Sequence, residues 1–429
     1  VSTLSPPLAS LAAEDIRALI TQELAPHFTA LARCRSTSEL HALPLYRQLA
    51  AQIEHVLATP DIGSFAVDSD PMFDPIAPPV ATPAAASAVQ RRYRCLAWNL
   101  ERGIRLGDQL VALREHHYLK TCDVLLLTEA DAGMARSGNR DVARELAAGL
   151  GMHYAFLPCY LNLAKGSGLE YDVEGRNRLG LHGNAILSRY PIRNVRRIPL
   201  RNGVDKMATR EKRLGTQTAL AAEVVFPSSV LTVGVVHLDA QSTQRHRWGQ
   251  LRDVLAGMPA GGPVLIGGDW NTTTYNSSHA FPAIMGFARR VFLIGVERTI
   301  TRHYLHPENR FERELFRGLK AHGYDYERCN VMGEPTFAYD IADLKARKNL
   351  GEWVPDWCFA WIRWALRNHG GRCPLKLDWF AARDLETENP VVISELRAQD
   401  GPQLSDHDPI GIDLVVDPQL SASEASGRR

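Results

Sequence analysis

The sequence predicts an α/β fold preceded by a helical extension, and three observations lead there. From Arg91 onward, short apolar runs alternate with amphipathic stretches, the pattern of strands and helices packed in layers. Before that point, apolar residues recur at helical spacing. Hydrophobic residues make up 45% and charged residues 23% of the 429, the mix of a chain able to bury a large core.

Residues 1–60 are expected to form two or three helices. Ile16, Leu19, Ile20 and Leu24 share a face of a helix over residues 13–34, which Pro26 breaks or bends. A second periodic stretch, residues 45–57, follows Pro44. Residues 61–89 are rich in Pro and Ala and read as an extended linker. The main domain is expected over residues 90–416. Within it, residues 93–100, 122–127, 184–187, 218–226, 230–238, 264–267, 375–380 and 410–415 read as strands. Residues 109–120, 141–150 and 243–255 read as helices. The stretch between Asn271 and Leu377 is far longer than a compact connection, so a helical insertion is expected over residues 275–370. The small, polar residues 417–429 are expected to be a disordered tail.

Bulk properties narrow the function. A net charge of +1, from 49 basic and 48 acidic side chains, provides no global field to draw in nucleic acid, although a local groove can still be basic. Seven scattered cysteines, never spaced C-x-x-C, argue against a zinc site and against a disulfide framework. No segment reaches the roughly 18 apolar residues of a membrane span, and no signal-like start is present; a cytoplasmic location is the expectation. No stable protein partner is expected.

The informative pattern lies where apolar runs stop. The run 95–98 ends in Asn99 and Glu101, 124–127 in Thr128 and Glu129, 233–236 in His237, and 263–266 in Gly-Gly-Asp269-Trp270-Asn271. Leu377 leads into Asp378, and Ser405-Asp406-His407-Asp408-Pro409 precedes the last strand. In α/β folds such ends face the crevice that binds ligands. One Asp at a strand end is an ordinary turn former and a lone His an ordinary surface or core residue. Six such endings with oxygen ligands and two histidines mark a site.

Taken in order, Trp98-Asn99, Thr128-Glu129, Gly183-Asn184-Ala185-Ile186-Leu187-Ser188, His237-Leu238, Gly268-Asp269-Trp270-Asn271, Leu377-Asp378 and Ser405-Asp406-His407-Asp408-Pro409 resemble the endonuclease/exonuclease/phosphatase superfamily over residues 90–416. The Gly-Asp-x-Asn and Ser-Asp-His-x-Pro motifs are the most specific. The resemblance implies a four-layer α/β/β/α sandwich of two mixed β-sheets flanked by helices, with the site at their shared upper edge. Two positions depart from the pattern. Trp270 stands where the family usually has Phe or Leu, and Glu101 stands where some branches use Asp for the metal.

The chemistry of the residue types agrees. Glu129 is a hard carboxylate suited to Mg²⁺ or Mn²⁺. His407 is placed for acid/base work with Asp378 as its orienting partner. Asp269 and Asn271, two apart on an extended segment, can face one side and position water and phosphate. By family analogy, Asp406 and Glu101 complete the metal ligands, His237 hydrogen-bonds phosphoryl oxygens, and Asn99 and Asn184 contact substrate. The function this implies is an Mg²⁺-dependent phosphodiesterase using in-line water attack. A phosphomonoesterase and a non-catalytic scaffold are the alternatives.

Apurinic-site endonucleases place a tyrosine at the position of His237, and inositol polyphosphate 5-phosphatases follow the Asp378 position with Arg. The two histidines are instead similar to those of pancreatic-type deoxyribonucleases and bacterial sphingomyelinases, which leaves nucleic acid, lipid and small diesters as substrates. Two further features have two readings each. Trp353, Trp357, Trp361 and Trp364, with Phe359, form either an aromatic lip or a core-facing stripe. Arg189, Arg193, Arg196, Arg197 and Arg201 either track a nucleic-acid backbone or pair with nearby acids.

Overall fold

A computed structural model describes residues 9–66, 91–272, 289–340, 356–394, 396–398 and 401–416. Fifteen strands are found among them: β1 (Asp61–Ser64), β2 (Arg91–Arg102), β3 (Val124–Ala132), β4 (His153–Asn162), β5 (Leu181–Ser188), β6 (Ile192–Pro199), β7 (Arg213–Gly215), β8 (Thr218–Phe226), β9 (Ser229–Val235), β10 (Val264–Asp269), β11 (Phe337–Asp340), β12 (Arg372–Leu375), β13 (Asp378–Arg383), β14 (Glu386–Val392) and β15 (Ile410–Val416). One sheet of eight strands runs β1-β4-β5-β3-β2-β15-β14, with β7 also paired to β4. A second sheet runs β13-β10-β9-β8-β6, and β11 pairs with β12 apart from both. Both large sheets are mixed, since β2/β3 and β9/β10 are parallel and their other pairs antiparallel.

Side-chain alternation along the strands builds the layers. On β2, Cys95 and Ala97 join Leu220, Val233, Leu265 and Phe380 in a core between the sheets. The intervening Leu96 and Trp98 face the other way, onto Leu106, Leu113, Val142 and Leu146 of two helices. Across the molecule, Val264, Ile266 and Ala381 bury against Leu251 and Val254 of the Gln244–Gly257 helix and Leu315 and Leu319 of the Arg313–Ala321 helix. This is the four-layer α/β/β/α sandwich.

Helix ends follow local chemistry. Asp141 and Thr243 accept the backbone N–H groups of Arg144 and His246, capping the helices that begin at Val142 and Gln244. Pro44 opens the Pro44–Ala58 helix, where its missing N–H costs nothing. At Pro26 the first helical run tightens into the turn Ala25–His27. Ile20, Leu24, Ile53 and Val56 of this N-terminal region belong to the same buried cluster as the outer face of the first sheet. Asp61–Ser64, at the start of the stretch that reads as linker, adds to that sheet as an edge strand on β4.

The strands β4, β6, β7, β11 and β14 are absent from the sequence reading, and the single strand it gives over residues 375–380 is divided, β12 ending at Leu375 and β13 starting at Asp378. Pro158 interrupts β4 and sits at its bulge, while β6 and β14 are polar edge strands without a clean apolar run. The arginine cluster is largely spoken for: Arg193 pairs with Glu223 at 3.0 Å, Arg197 with Glu54, and Arg189 with Asp123 at 4.0 Å. Of the tryptophan stripe, Trp353 and the side chains of Trp357 and Phe359 lie outside the described residues, whereas Trp361 and Trp364 are exposed and not core. No helix among the described residues is long and apolar enough to cross a membrane.

Candidate active site

Strand ends from both sheets converge on one polar cluster. Asn99 comes from β2 and Glu129 from β3 of the first sheet; Asp269 ends β10, His237 follows β9, and Asp378 opens β13 in the second. His407 lies in the turn before β15. The β10/β13 register sets Asp269 directly opposite Asp378. Gly268 permits this arrangement: its φ is +134°, and a Cβ there would stand 2.3 Å from the carbonyl oxygen of Val236.

The hydrogen bonds leave little freedom. His407 Nδ1 is 2.8 Å from Asp378 Oδ2, and because an ionised carboxylate only accepts, Nδ1 carries the proton. Nε2 of the same ring stands 3.7 Å from Asp269 Oδ2, and His237 Nε2 is 3.5 Å from that oxygen. The Asn99 amide donates to Asp269 Oδ2 at 3.1 Å and to Glu129 Oε1 at 3.3 Å. Asn271 donates its backbone N–H to Asp269 Oδ1 at 3.0 Å and its amide to Leu238 O at 2.9 Å. On the other rim, Ser405 Oγ donates to Asn99 O at 2.6 Å, and the Asp406 N–H donates to Glu101 Oε2 at 3.1 Å.

Backbone strain gathers at the same place. Glu101, Arg102, Glu129 and Asn271 have φ of 46°, 66°, 55° and 49°, in the left-handed region that non-glycine residues rarely adopt. Such outliers persist where the surroundings over-determine them, characteristically at functional sites.

Charge is arranged as tightly as shape. Burial opposes ionisation of Glu129, but Arg102, His237, His182 and His407 outweigh it and hold the carboxyl below its usual range. Arg102 sits 3.5 Å from Glu129 and 3.0 Å from Glu170, and behind it Arg136 is buried among Asp131, Glu170 and Glu211. Burial pushes Asp269 up to about 7, with His407 opposing and Asp378 adding to the rise. Burial would lower His407, yet the Asp378 and Asp269 carboxylates win and raise it well above an ordinary histidine. His237 is lowered by burial.

The sequence profile of the endonuclease/exonuclease/phosphatase family matches residues 96–407. This chain belongs to that family. Its members are metal-dependent phosphoesterases, and the present chain carries the corresponding fold with a buried Asp-Asp-His cluster. Among solved structures, it is similar to an endonuclease/exonuclease/phosphatase from Beutenbergia cavernae (16% identity, 76% of this chain and 72% of that one, TM-score 0.47). It is also similar to a variant of the 3' phosphatase NExo from Neisseria bound to a product DNA hairpin (16%, 76% and 100%, 0.42). A third is TDP2 of D. rerio complexed with single strand DNA product (17%, 76% and 99%, 0.40). No curated protein matches the chain significantly.

Within this family member, Asp269, Asp378 and His407 offer donor atoms within 4.8 Å of one another, a group that could hold a metal ion. Asn99, Asn271 and His237 join that group through Asp269, and Glu129 joins it through Asn99. Glu101 and Asp406 meet each other at the rim. Asn184 stands apart: its amide donates to Thr218 O at 2.8 Å, bracing the first sheet against the second. Several contributors escaped the sequence reading. Thr336 Oγ1 accepts the N–H groups of Leu377 and Asp378, each at 3.0 Å, and the Phe337 ring lies 4.8 Å from that of His407. Trp98, present in the motif set without a role, donates its Nε1–H to His407 O at 3.1 Å. Thr336 and Phe337 belong to the insertion, and no local pattern links them to a strand end so far along the chain.

Proposed function

We propose that this chain is an Mg²⁺-dependent phosphodiesterase that hydrolyses its substrate by in-line attack of water. The observation that carries the reading is the convergence of the His407–Asp378 pair, Asp269, His237 and Glu129 on one buried cluster. Asp378 fixes the tautomer of His407 so that Nε2 faces Asp269, where the neutral ring can take up a proton and the imidazolium can return it. Asp269 and Asn271 orient the attacking water, Asp269 being held by three N–H donors from Asn99 and Asn271. His237 supplies a donor for phosphoryl oxygens, whose charge grows in the transition state, while the Asn99 amide holds Asp269 and Glu129 in place beside them. Asn184, buried with its amide on Thr218 O, acts on the site only by bracing β5 opposite the β3 bulge that carries Glu129.

Glu129, Glu101 and Asp406 are the residues assigned to the cation. They are oxygen donors of the class Mg²⁺ prefers, and Glu129 is kept ionised as a ligand must be. A cation held instead by Asp269, Asp378 and His407 would compete with the hydrogen bond that joins His407 to Asp378. When bound, the ion supplies Lewis-acid polarisation of a phosphoryl oxygen.

The deciding experiment compares bis-p-nitrophenyl phosphate with p-nitrophenyl phosphate, with EDTA and then with Mg²⁺ or Mn²⁺ restored. Diester hydrolysis that stops with EDTA and returns with metal supports the proposal. Preference for the monoester replaces it with a phosphomonoesterase, and neither hydrolysis nor metal binding leaves the scaffold reading. A panel of supercoiled DNA, structured RNA, sphingomyelin, phosphatidylinositol and small diesters then separates the substrates.

A further inference from the structure

The insertion presents a face that the catalytic chemistry does not use. On the Asp356–Ala365 helix, Ile362 packs with Leu366, which follows the helix, onto Ile300, Val296 and Tyr304. Trp361 and Trp364 lie on the outer side, 48% and 49% exposed, with their rings 6.0 Å apart edge to face. Leu293, on the preceding helical segment Arg289–Ile294, is 80% exposed. A contact of 3.1 Å between His369 Nε2 and Glu297 Oε2 ties the two parts of the insertion together. The same parts expose Arg298, Arg302, Arg363 and Arg367, and among the described residues none of these four forms an ion pair.

Indole rings, a bare aliphatic side chain and unneutralised guanidinium groups on short helices make up an interfacial surface. Indoles settle at headgroup level, aliphatic chains reach below it, and arginines meet anionic headgroups. We infer that this face docks on an anionic lipid bilayer. Single-stranded nucleic acid fits it less well, because the Arg367 guanidinium already stacks on the Trp364 ring at 4.6 Å and Leu293 offers nothing to a base or a phosphate. Position gives the docking a purpose. Tyr304 and Cys373 pack both beneath this helix and against Phe337, whose ring touches that of His407. A bilayer on this face is therefore joined to the catalytic cluster through one layer of packed side chains, which would bring phosphodiesters at a lipid surface toward His407. Access to such phosphodiesters rests on the proposed function; the docking does not.

The test is sedimentation of the full chain, in EDTA, with phosphatidylcholine vesicles that either contain about a third phosphatidylglycerol or lack it. The anionic vesicles are expected to bind at least about tenfold more tightly, with the difference shrinking as salt rises. Trp361→Ala/Trp364→Ala and Arg363→Glu/Arg367→Glu should each weaken binding about tenfold or more while circular dichroism is unchanged. An oligothymidylate competitor should leave the bound fraction intact. Equal binding to both vesicles, no binding to either, parental binding by the tryptophan double variant, or displacement by oligothymidylate would each overturn the proposal. Because the readout needs no turnover, an inactive protein that still binds refutes only the catalytic reading.

Discussion

His407 Nδ1 lies 2.8 Å from Asp378 Oδ2, with both side chains buried, although Asp378 opens a strand of the second sheet and His407 precedes a strand of the first. The insertion joins them from outside: Thr336 Oγ1 accepts the Asp378 N–H, and Thr336 O accepts the Asp408 N–H at 2.8 Å. One residue thus braces both halves of the pair.

Loss of the imidazole should remove most of the activity. His407→Ala is expected to lower kcat on a diester about a hundredfold or more, the scale of a general acid/base group. Asp378→Asn should come close to it by letting the ring adopt the wrong tautomer. An unchanged rate in a folded His407→Ala variant would reject the assignment.

The same pair carries a pH signature in metal-free protein. The folded pKa of His407 is raised above its unfolded value, so its stabilisation is fully present below about pH 6.5 and is lost as pH rises through the folded pKa. In EDTA, Asp378→Asn should therefore cost more stability near about pH 6 than at a pH above the folded pKa of His407. Urea unfolding at the two pH values gives the comparison, and an equal cost at both would contradict it.

Removing the charge of Glu129 should be felt by the metal before anything else. Glu129→Gln is expected to weaken Mn²⁺ binding in calorimetry about tenfold or more. The rise in Tm that Mn²⁺ gives the parent protein should shrink in parallel, since a ligand stabilises only in proportion to its affinity for the folded state. A variant that keeps the full thermal shift would place the ion elsewhere.

Gly268→Ala tests the close approach that aligns Asp269. With φ at +134° and a Cβ only 2.3 Å from Val236 O, the change should destabilise by about 2–4 kcal/mol. Parental stability in a denaturant titration would show that the backbone can relax.

The insertion is anchored by charge as well as by packing. Arg247 Nε donates to Glu312 Oε1 at 2.9 Å with both side chains fully buried, and burial pushes Glu312 up to about 7 against the pull of Arg247. Arg247→Met leaves that carboxyl without its cation and should cost about 3–5 kcal/mol. Adding Glu312→Gln should recover part of the loss; no recovery would mean that Arg247 contributes by packing alone.

Much of the site was legible because its residues sit where apolar runs end. Val233–Val235 stopping before His237, or Val264–Ile266 before Asp269, is a pattern of a few residues that burial itself imposes. The same cause made β8 readable to its last residue, while β4, broken by Pro158, and the polar edge β14 were not. Trp361 and Trp364 show the opposite limit. A stripe at helical spacing states which residues share a face, but whether another element covers that face is not a local property.

By itself, the sequence determined the layered α/β class and the set of polar strand-end residues that the fold gathers into one cluster, because period-two burial and abrupt polar endings are written over short stretches. Only the tertiary structure decided that Thr336 steadies Asp378, that Arg102 is shared by Glu129 and Glu170, and that the amide of Asn184 is spent on Thr218. Those partners are distant along the chain or lie on different sheets, and which surfaces meet is settled by the packing of the whole core.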